Sequence, residues 1–203
     1  AVAEALDGTV SVFMQAMNDE GVTLLATDLD SDGGKLFMGS GVPYSSEDDE
    51  GRMLRAMRRV LDVGTPLPLQ IGVNRGHVFA AEVGAVDRAA YSAMGDTTNT
   101  AARIMGKAPH GVLFAHPAVP ERSRTLFATT PAGPLPMRGR TRAPRGIPAA
   151  TVDGMSARIG DGRSMWETGR ISFANATALR AGGAPSQTVR NFAEAMRTWT
   201  VRR

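Results

Sequence analysis

Residues 72–105 read GVNRGHVFAAEVGAVDRAAYSAMGDTTNTAARIM. The segment predicts a strand, a turn, a second strand, a hairpin with a short third strand, and then a helix opening at Gly95 and Asp96. Asn99 and Arg103 lie four residues apart in that helix, so both side chains leave from one face. An amide and a fixed guanidinium aimed at one spot suit a sugar-phosphate ligand.

Upstream, Leu6, Val10, Phe13, Met14 and Met17 recur at helical spacing and predict an amphipathic helix that Gly21 ends. Residues 22–27 (VTLLAT) and 35–38 predict two strands around the turn Asp30-Ser31-Asp32-Gly33-Gly34. A second helix is expected over 47–62. Its first turn is acidic, favourable at the positive end of the helix dipole, and Met53, Leu54, Met57, Val60 and Leu61 form its inner stripe. Strands follow at 69–73, 77–83 and 90–93, then a helix at 97–107 and a strand at 111–115. This order predicts an α+β sandwich, with helices on one face of a mainly antiparallel sheet.

The 203 residues, 42% of them apolar, allow one good core with an appendage. No run reaches the ~18 apolar residues of a membrane helix; no signal peptide is expected, and the expected location is the cytoplasm. The absence of cysteine excludes disulfides, thiolate metal sites and cysteine nucleophiles. A basic balance of +3 suggests nucleic acid, yet the charge is uneven. Residues 1–129 hold 11 basic and 16 acidic side chains, whereas residues 130–203 hold 12 arginines and 4 acids. The basicity belongs to the tail, and no basic stripe interleaved with aromatics marks the core, so no nucleic-acid partner is expected.

The pattern Gly95-Asp96-x-x-Asn99-x-x-x-Arg103, preceded by Tyr91-Ser92, resembles the catalytic C-terminal half of class III nucleotidyl cyclases, the adenylate and guanylate cyclases. The resemblance covers residues 1–130 and implies a ferredoxin-like βαββαβ-type sandwich. The chain starts in the first helix, so the family's preceding strand is expected to be missing. Residues 131–203, rich in Arg, Gly and Pro, are expected to be a largely irregular tail, and the pattern allows one helix over 189–201.

The resemblance implies an in-line attack of the ribose 3′-hydroxyl on the α-phosphate of ATP, giving cyclic AMP and pyrophosphate. The site would form between two cyclase domains, with Mg or Mn held by paired aspartates. Asn99 takes the place of the asparagine that orients the ribose. Arg103 takes that of the arginine that stabilises phosphate charge in the transition state. Ser92 stands where the family reads the purine, and its hydroxyl tolerates adenine. The bland alternatives are hydrogen bonding in the helix's first turns for Asn99, a solvated arginine for Arg103 and a strand-end serine bonded to its own backbone for Ser92. Asp96 reads mainly as a helix cap.

The match breaks in the first half. Nine residues before Pro43 of the Gly41-Val42-Pro43 turn, where the family places a metal aspartate, stands Gly34. Four residues earlier, at the place of the purine-reading lysine, stands Asp30, and Lys35 is one residue out of step. The run Asp28, Asp30, Asp32 lacks the closing glutamate of a calcium loop and reads as a solvated turn. His77, expected on a strand, and His110 and His116, expected near loops, share no ligand spacing. No metal residue is therefore assigned to this chain. The pattern resembles the metal-free second domain of a tandem bacterial pair, inactive alone, whose partner domain supplies the aspartates. A catalytically inactive regulatory or dimerisation module is the alternative. A ferredoxin-like RNA binder would need more sheet aromatics than Phe79 and Tyr91.

Overall fold

The computed structural model describes residues 2–30, 33–85, 88–135, 146–156 and 171–177. The first helix, α1 (Val2–Glu20), ends where Gly21 turns to φ 62°, a conformation that suits glycine. It leads into the hairpin β1 (Thr23–Asp30) and β2 (Gly33–Ser40). Helix α2 (Asp49–Val63) precedes β3 (Gln70–Gly76). A two-stranded arm follows, β4 (Phe79–Ala85) and β5 (Arg88–Met94), and runs into α3 (Asp96–Met105). Beyond lie β6 (Val112–Ala115), a 3-10 turn at Pro120–Arg122, β7 (Leu126–Leu135), β8 (Ile147–Ser156) and β9 (Ile171–Thr177).

Seven strands form one sheet in the order β1-β2-β9-β3-β6-β8-β7, and β4 and β5 pair separately. Among the described strands only β3 and β6 run parallel; every other neighbouring pair is antiparallel. The architecture is the expected α+β sandwich. In a βαββαβ sandwich the opening strand is central and antiparallel to both neighbours. Here β9 holds that position, paired over residues 172–177 with β2 and over 171–177 with β3.

The core follows from alternation on β3. Ile71 and Val73 join a cluster with Phe13 and Met17 of α1 and with Met53, Leu54, Met57 and Val60 of α2. The residues between them, Gly72 and Asn74, face α3 instead. On β6 likewise, Leu113 and Ala115 join the first cluster, while Phe114 packs with Ile104 and Ala108 in a second. So α1 and α2 cover one face of the sheet and α3 covers the other. The expectation of all helices on one face is corrected, because β3 and β6 offer an apolar or close-packing row on each side.

Strands also lie within the stretch from 131 that was expected to be largely irregular. Pro131 lies inside β7, and β8 and β9 follow. Strand β7 is one of the two edges of the sheet, the position at which a strand tolerates prolines such as Pro131 and Pro134. Its partner β8 buries Ile147, Ala149, Ala150 and Val152. The helix expected over 189–201 lies outside the described residues.

The start of α2 is tied down by polar contacts. Asp49, only 2% exposed, accepts bonds from Ser45 Oγ (2.7 Å), Ser46 N (3.0 Å) and Ser46 Oγ (2.9 Å). Arg55 meets Glu20 at 2.8 Å and Asp48 at 2.7 Å, joining α1 to α2. These carboxylates outweigh desolvation and push the Arg55 pKa above its usual value.

Candidate functional site

Helix α3 displays the two residues singled out by sequence. Ala101, Ile104 and Met105 are buried against the sheet, and on the opposite side of the helix Asn99 and Arg103 are both exposed. The i,i+4 reading therefore holds in space: amide and guanidinium leave the solvent face together. Arg103 stands in the last turn, where a cation favours the helix dipole.

The helix begins differently from the sequence expectation. Gly95, not Asp96, is the N-cap, at φ 146°, and no side chain caps the helix there. Asp96 is the first helical residue and acts from there through the dipole. Instead of a capping side chain, Thr98 Oγ1 donates to Gly95 O at 2.7 Å, and Asn99 N closes on the same carbonyl at 3.4 Å.

Three further contacts hold the helix on β3 and the segment just after it. Asn74, 6% exposed, donates from Nδ2 to Thr97 O at 3.0 Å. Thr97 Oγ1 donates to His77 O at 2.7 Å. Gly72 lies so close to the far end of α3 that a Cβ there would stand 2.5 Å from Met105 Cα. Sequence reasoning passed over Asn74. Its available signal was the alternation Gly72-x-Asn74-x-Gly76, which breaks an apolar strand on one face only.

Ser92 lies on β5 opposite Ala81 and is half-buried. Directly paired residues share a face of the arm, so Ser92 sits in the row of Phe79, Val83 and Met94. Those three are 65%, 47% and 47% exposed, which leaves an apolar face in water. Ser92 stands three residues before the N-cap of α3, so hydroxyl, amide and guanidinium belong to one continuous β5–α3 segment.

The first hairpin offers no comparable donor set. Asp28 and Lys35 are cross-strand partners, 3.9 Å apart and 73% and 63% exposed. Gly34 is a buried backbone position of β2. Among the described residues no three His, Cys, Asp or Glu side chains stand close enough together to hold a metal. The two ions implied by the resemblance therefore do not fit the described residues of this chain.

His77 lies in the connection between β3 and β4, not on a strand as expected, and is exposed. His116 follows β6, where its N donates to Val73 O at 2.9 Å and its Nδ1 accepts from Ala118 N at 3.3 Å. Burial lowers the His116 pKa; Glu121 opposes this shift and Arg75 adds to it.

Residues 49–146 match the family model described as the adenylate and guanylate cyclase catalytic domain. No curated protein matches the chain. Among solved structures, the guanylate cyclase domain of RhGC from Catenaria anguillulae, in complex with GTP, is 19% identical with a TM-score of 0.64; 75% of this chain and 83% of that one are covered. The adenylyl cyclase CyaB from P. aeruginosa is 19% identical with a TM-score of 0.61, covering 77% and 84%. The catalytic core of a rhodopsin-guanylyl cyclase with converted specificity, in complex with ATPalphaS, gives 20%, 0.62, 74% and 81%. These likenesses establish the fold. The helix α3 and the arm lie within the matched family segment.

Proposed function

We propose, from the match of residues 49–146 to the family model of the adenylate and guanylate cyclase catalytic domain, that this chain supplies the transition-state half of an adenylate cyclase site. A second cyclase domain completes it. Together they convert ATP to cyclic AMP and pyrophosphate in bacterial, cytoplasmic signalling. Among the described residues no helix is long and apolar enough to cross a membrane.

The observation that carries this reading is the solvent face of α3, with Asn99 and Arg103 exposed above a buried row. Asn99 orients the ribose so that its 3′-hydroxyl faces the α-phosphate in line. Arg103 stabilises the negative charge that shifts toward the leaving pyrophosphate. Ser92 meets the adenine edge with a hydroxyl that both donates and accepts. Mg or Mn would be held by aspartates of the partner domain. The apolar row Phe79, Val83 and Met94 is the surface on which that partner packs, since exposed apolar patches of this kind mark association sites.

Gly34 at the place of a ligating aspartate and Asp30 at that of the purine-reading lysine favour a second reading. In it the domain is a catalytically inactive regulatory or dimerisation module.

One complementation experiment separates the two. The full chain is mixed with a cyclase domain that keeps its paired metal aspartates but has its own transition-state asparagine and arginine replaced. The proposed reading expects cyclic AMP from the mixture, none from the chain alone with Mg-ATP or Mn-ATP, and a loss of order 10²–10³ in kcat for Arg103→Ala. Activity indifferent to Arg103→Ala would favour the inactive module, and cyclic AMP from the isolated chain would refute the half-site.

A further inference from the structure

We propose that Asn74 is a positioning residue of this half-site, acting on Asn99 and Arg103 through the backbone of α3. The inference rests on the cyclase reading for its catalytic consequence, but not for its structural one.

Three alternate residues on one face of β3, Gly72, Asn74 and Gly76, meet α3 at both ends. At the N-terminal end the Asn74 amide holds Thr97 O at 3.0 Å. Beside it, a Cβ at Gly76 would stand 2.6 Å from Thr97 Oγ1. At the C-terminal end, Gly72 leaves room only for hydrogen beside Met105. The functional pair lies between these points: Asn99 is two residues past Thr97, and Arg103 two residues before Met105.

The two glycines set how near the helix comes, but they do not fix its position along the strand. A directional bond does. An amide in a site 6% exposed is costly to bury unless its hydrogen bonds are made. Packing alone would favour an aliphatic side chain there. The Gly95 N-cap offers no side chain of its own, and the tethers of the first turn include those from Asn74, Thr97 and Thr98. Of these, Asn74 is the one that reaches across from the sheet by its side chain. Because Nδ2 is the donor and Thr97 O the acceptor, donor character is what the position requires.

The test uses full chains carrying Asn74→Ala, Asn74→Asp and Asn74→His, read in two ways. The first is amide hydrogen exchange. Asn74→Ala should raise exchange about tenfold across residues 98–102 while the amides of α2 and β6 hold their protection. The second is cyclic AMP formation in the complementation mixture. Asn74→Ala should lower kcat by about tenfold to a hundredfold, with KM for ATP moved less than about twofold, since the pair still contacts substrate but from a shifted helix. Asn74→Asp, an acceptor facing an acceptor, should be worse in both. Asn74→His, whose Nδ1–H donates from a similar position, should recover most of both.

Exchange at 98–102 left unchanged by Asn74→Ala overturns the proposal, and so does exchange raised equally throughout the chain. If Asn74→Ala does not fold, Asn74→His decides alone: near wild-type exchange supports the proposal, and frayed α3 amides overturn it. A mixture with no wild-type activity counts against the cyclase reading, while the exchange arm still judges Asn74.

Discussion

Gly72→Ala is the sharpest test of how α3 is seated. An alanine Cβ would come to 2.5 Å from Met105 Cα and 2.6 Å from Met105 Cβ, whereas ordinary contact begins near 3.4 Å. Met105 N lies nearer still, so helix and strand must part by about 1 Å or more at this point. The opposing atoms belong to the backbone and its first carbon, so no rotamer change relieves them. On the strand side, β3 is hydrogen-bonded to β9 and to β6, so the helix must move. Overpacking of this sort costs about 1–3 kcal/mol, and a rigid neighbour places it toward the upper end. In a chain of this size that lowers Tm by roughly 5–10 °C, measured by circular dichroism of the full chain. Adding Met105→Ala should not rescue the loss, because alanine keeps every colliding atom. In the complementation assay a helix displaced by about 1 Å should lose of order 10²-fold in rate. A Gly72→Ala chain within about 1 °C of wild type, or one rescued by Met105→Ala, would refute the packing argument.

Met57 is fully buried between α2 and the sheet, and Met57→Ala should cost about 2–5 kcal/mol, read as a lowered urea midpoint at constant m-value. His116 has a lowered folded pKa, so the unfolded chain binds more protons as pH falls through the ordinary histidine range. Stability present above about pH 6.5 should decline on acidification from there, and a His116→Gln chain should show a flatter Tm-against-pH curve over the same window. Phe79→Ser with Val83→Ser removes two exposed side chains from the arm. Tm should hold while sedimentation shows weaker association with the complementing domain; unchanged association would remove the arm from the proposed interface.

The elements between residues 6 and 115 were legible because local periodicity and burial agree there. Met53, Leu54, Met57 and Val60 repeat at helical spacing and all reach the core. The C-terminal strands were not legible. Pro131, Gly133 and Pro134 read as loop residues, and a strand that contains them is stable only as an edge against β8, while β9 pairs with β2 and β3, segments far away in sequence. The placement of α3 on the opposite face required noticing that Gly72, Asn74 and Gly76 alternate with Ile71 and Val73. A small-polar-small row on a central strand seats another element closely; it is not a defect in the apolar pattern. The cap at Gly95 was misread because capping follows backbone angles, which Asp96 alone does not reveal. The face shared by Asn99 and Arg103 was legible from spacing, since it depends only on helix geometry.

The exposure of Arg103 bears on the proposed need for a partner. In this chain Arg103 stands on an open helix face. A guanidinium 4 Å from a phosphate charge gains only about 1 kcal/mol in bulk water, but about 4 kcal/mol at the effective dielectric of a protein-covered site. Transition-state stabilisation of the size expected for such an arginine is therefore unavailable until a second surface excludes water from this face. The row of Phe79, Val83 and Met94 flanks Ser92 on the strand that leads into α3. A domain docked there would bury the apolar row and raise the electrostatic worth of Arg103 in the same step. Activity should therefore depend on concentration as association does. Across a titration of the complementing domain, cyclic AMP formation should saturate at the same midpoint as complex formation measured by sedimentation. Activity that keeps rising after the complex is saturated would show that covering the α3 face is not what switches the arginine on.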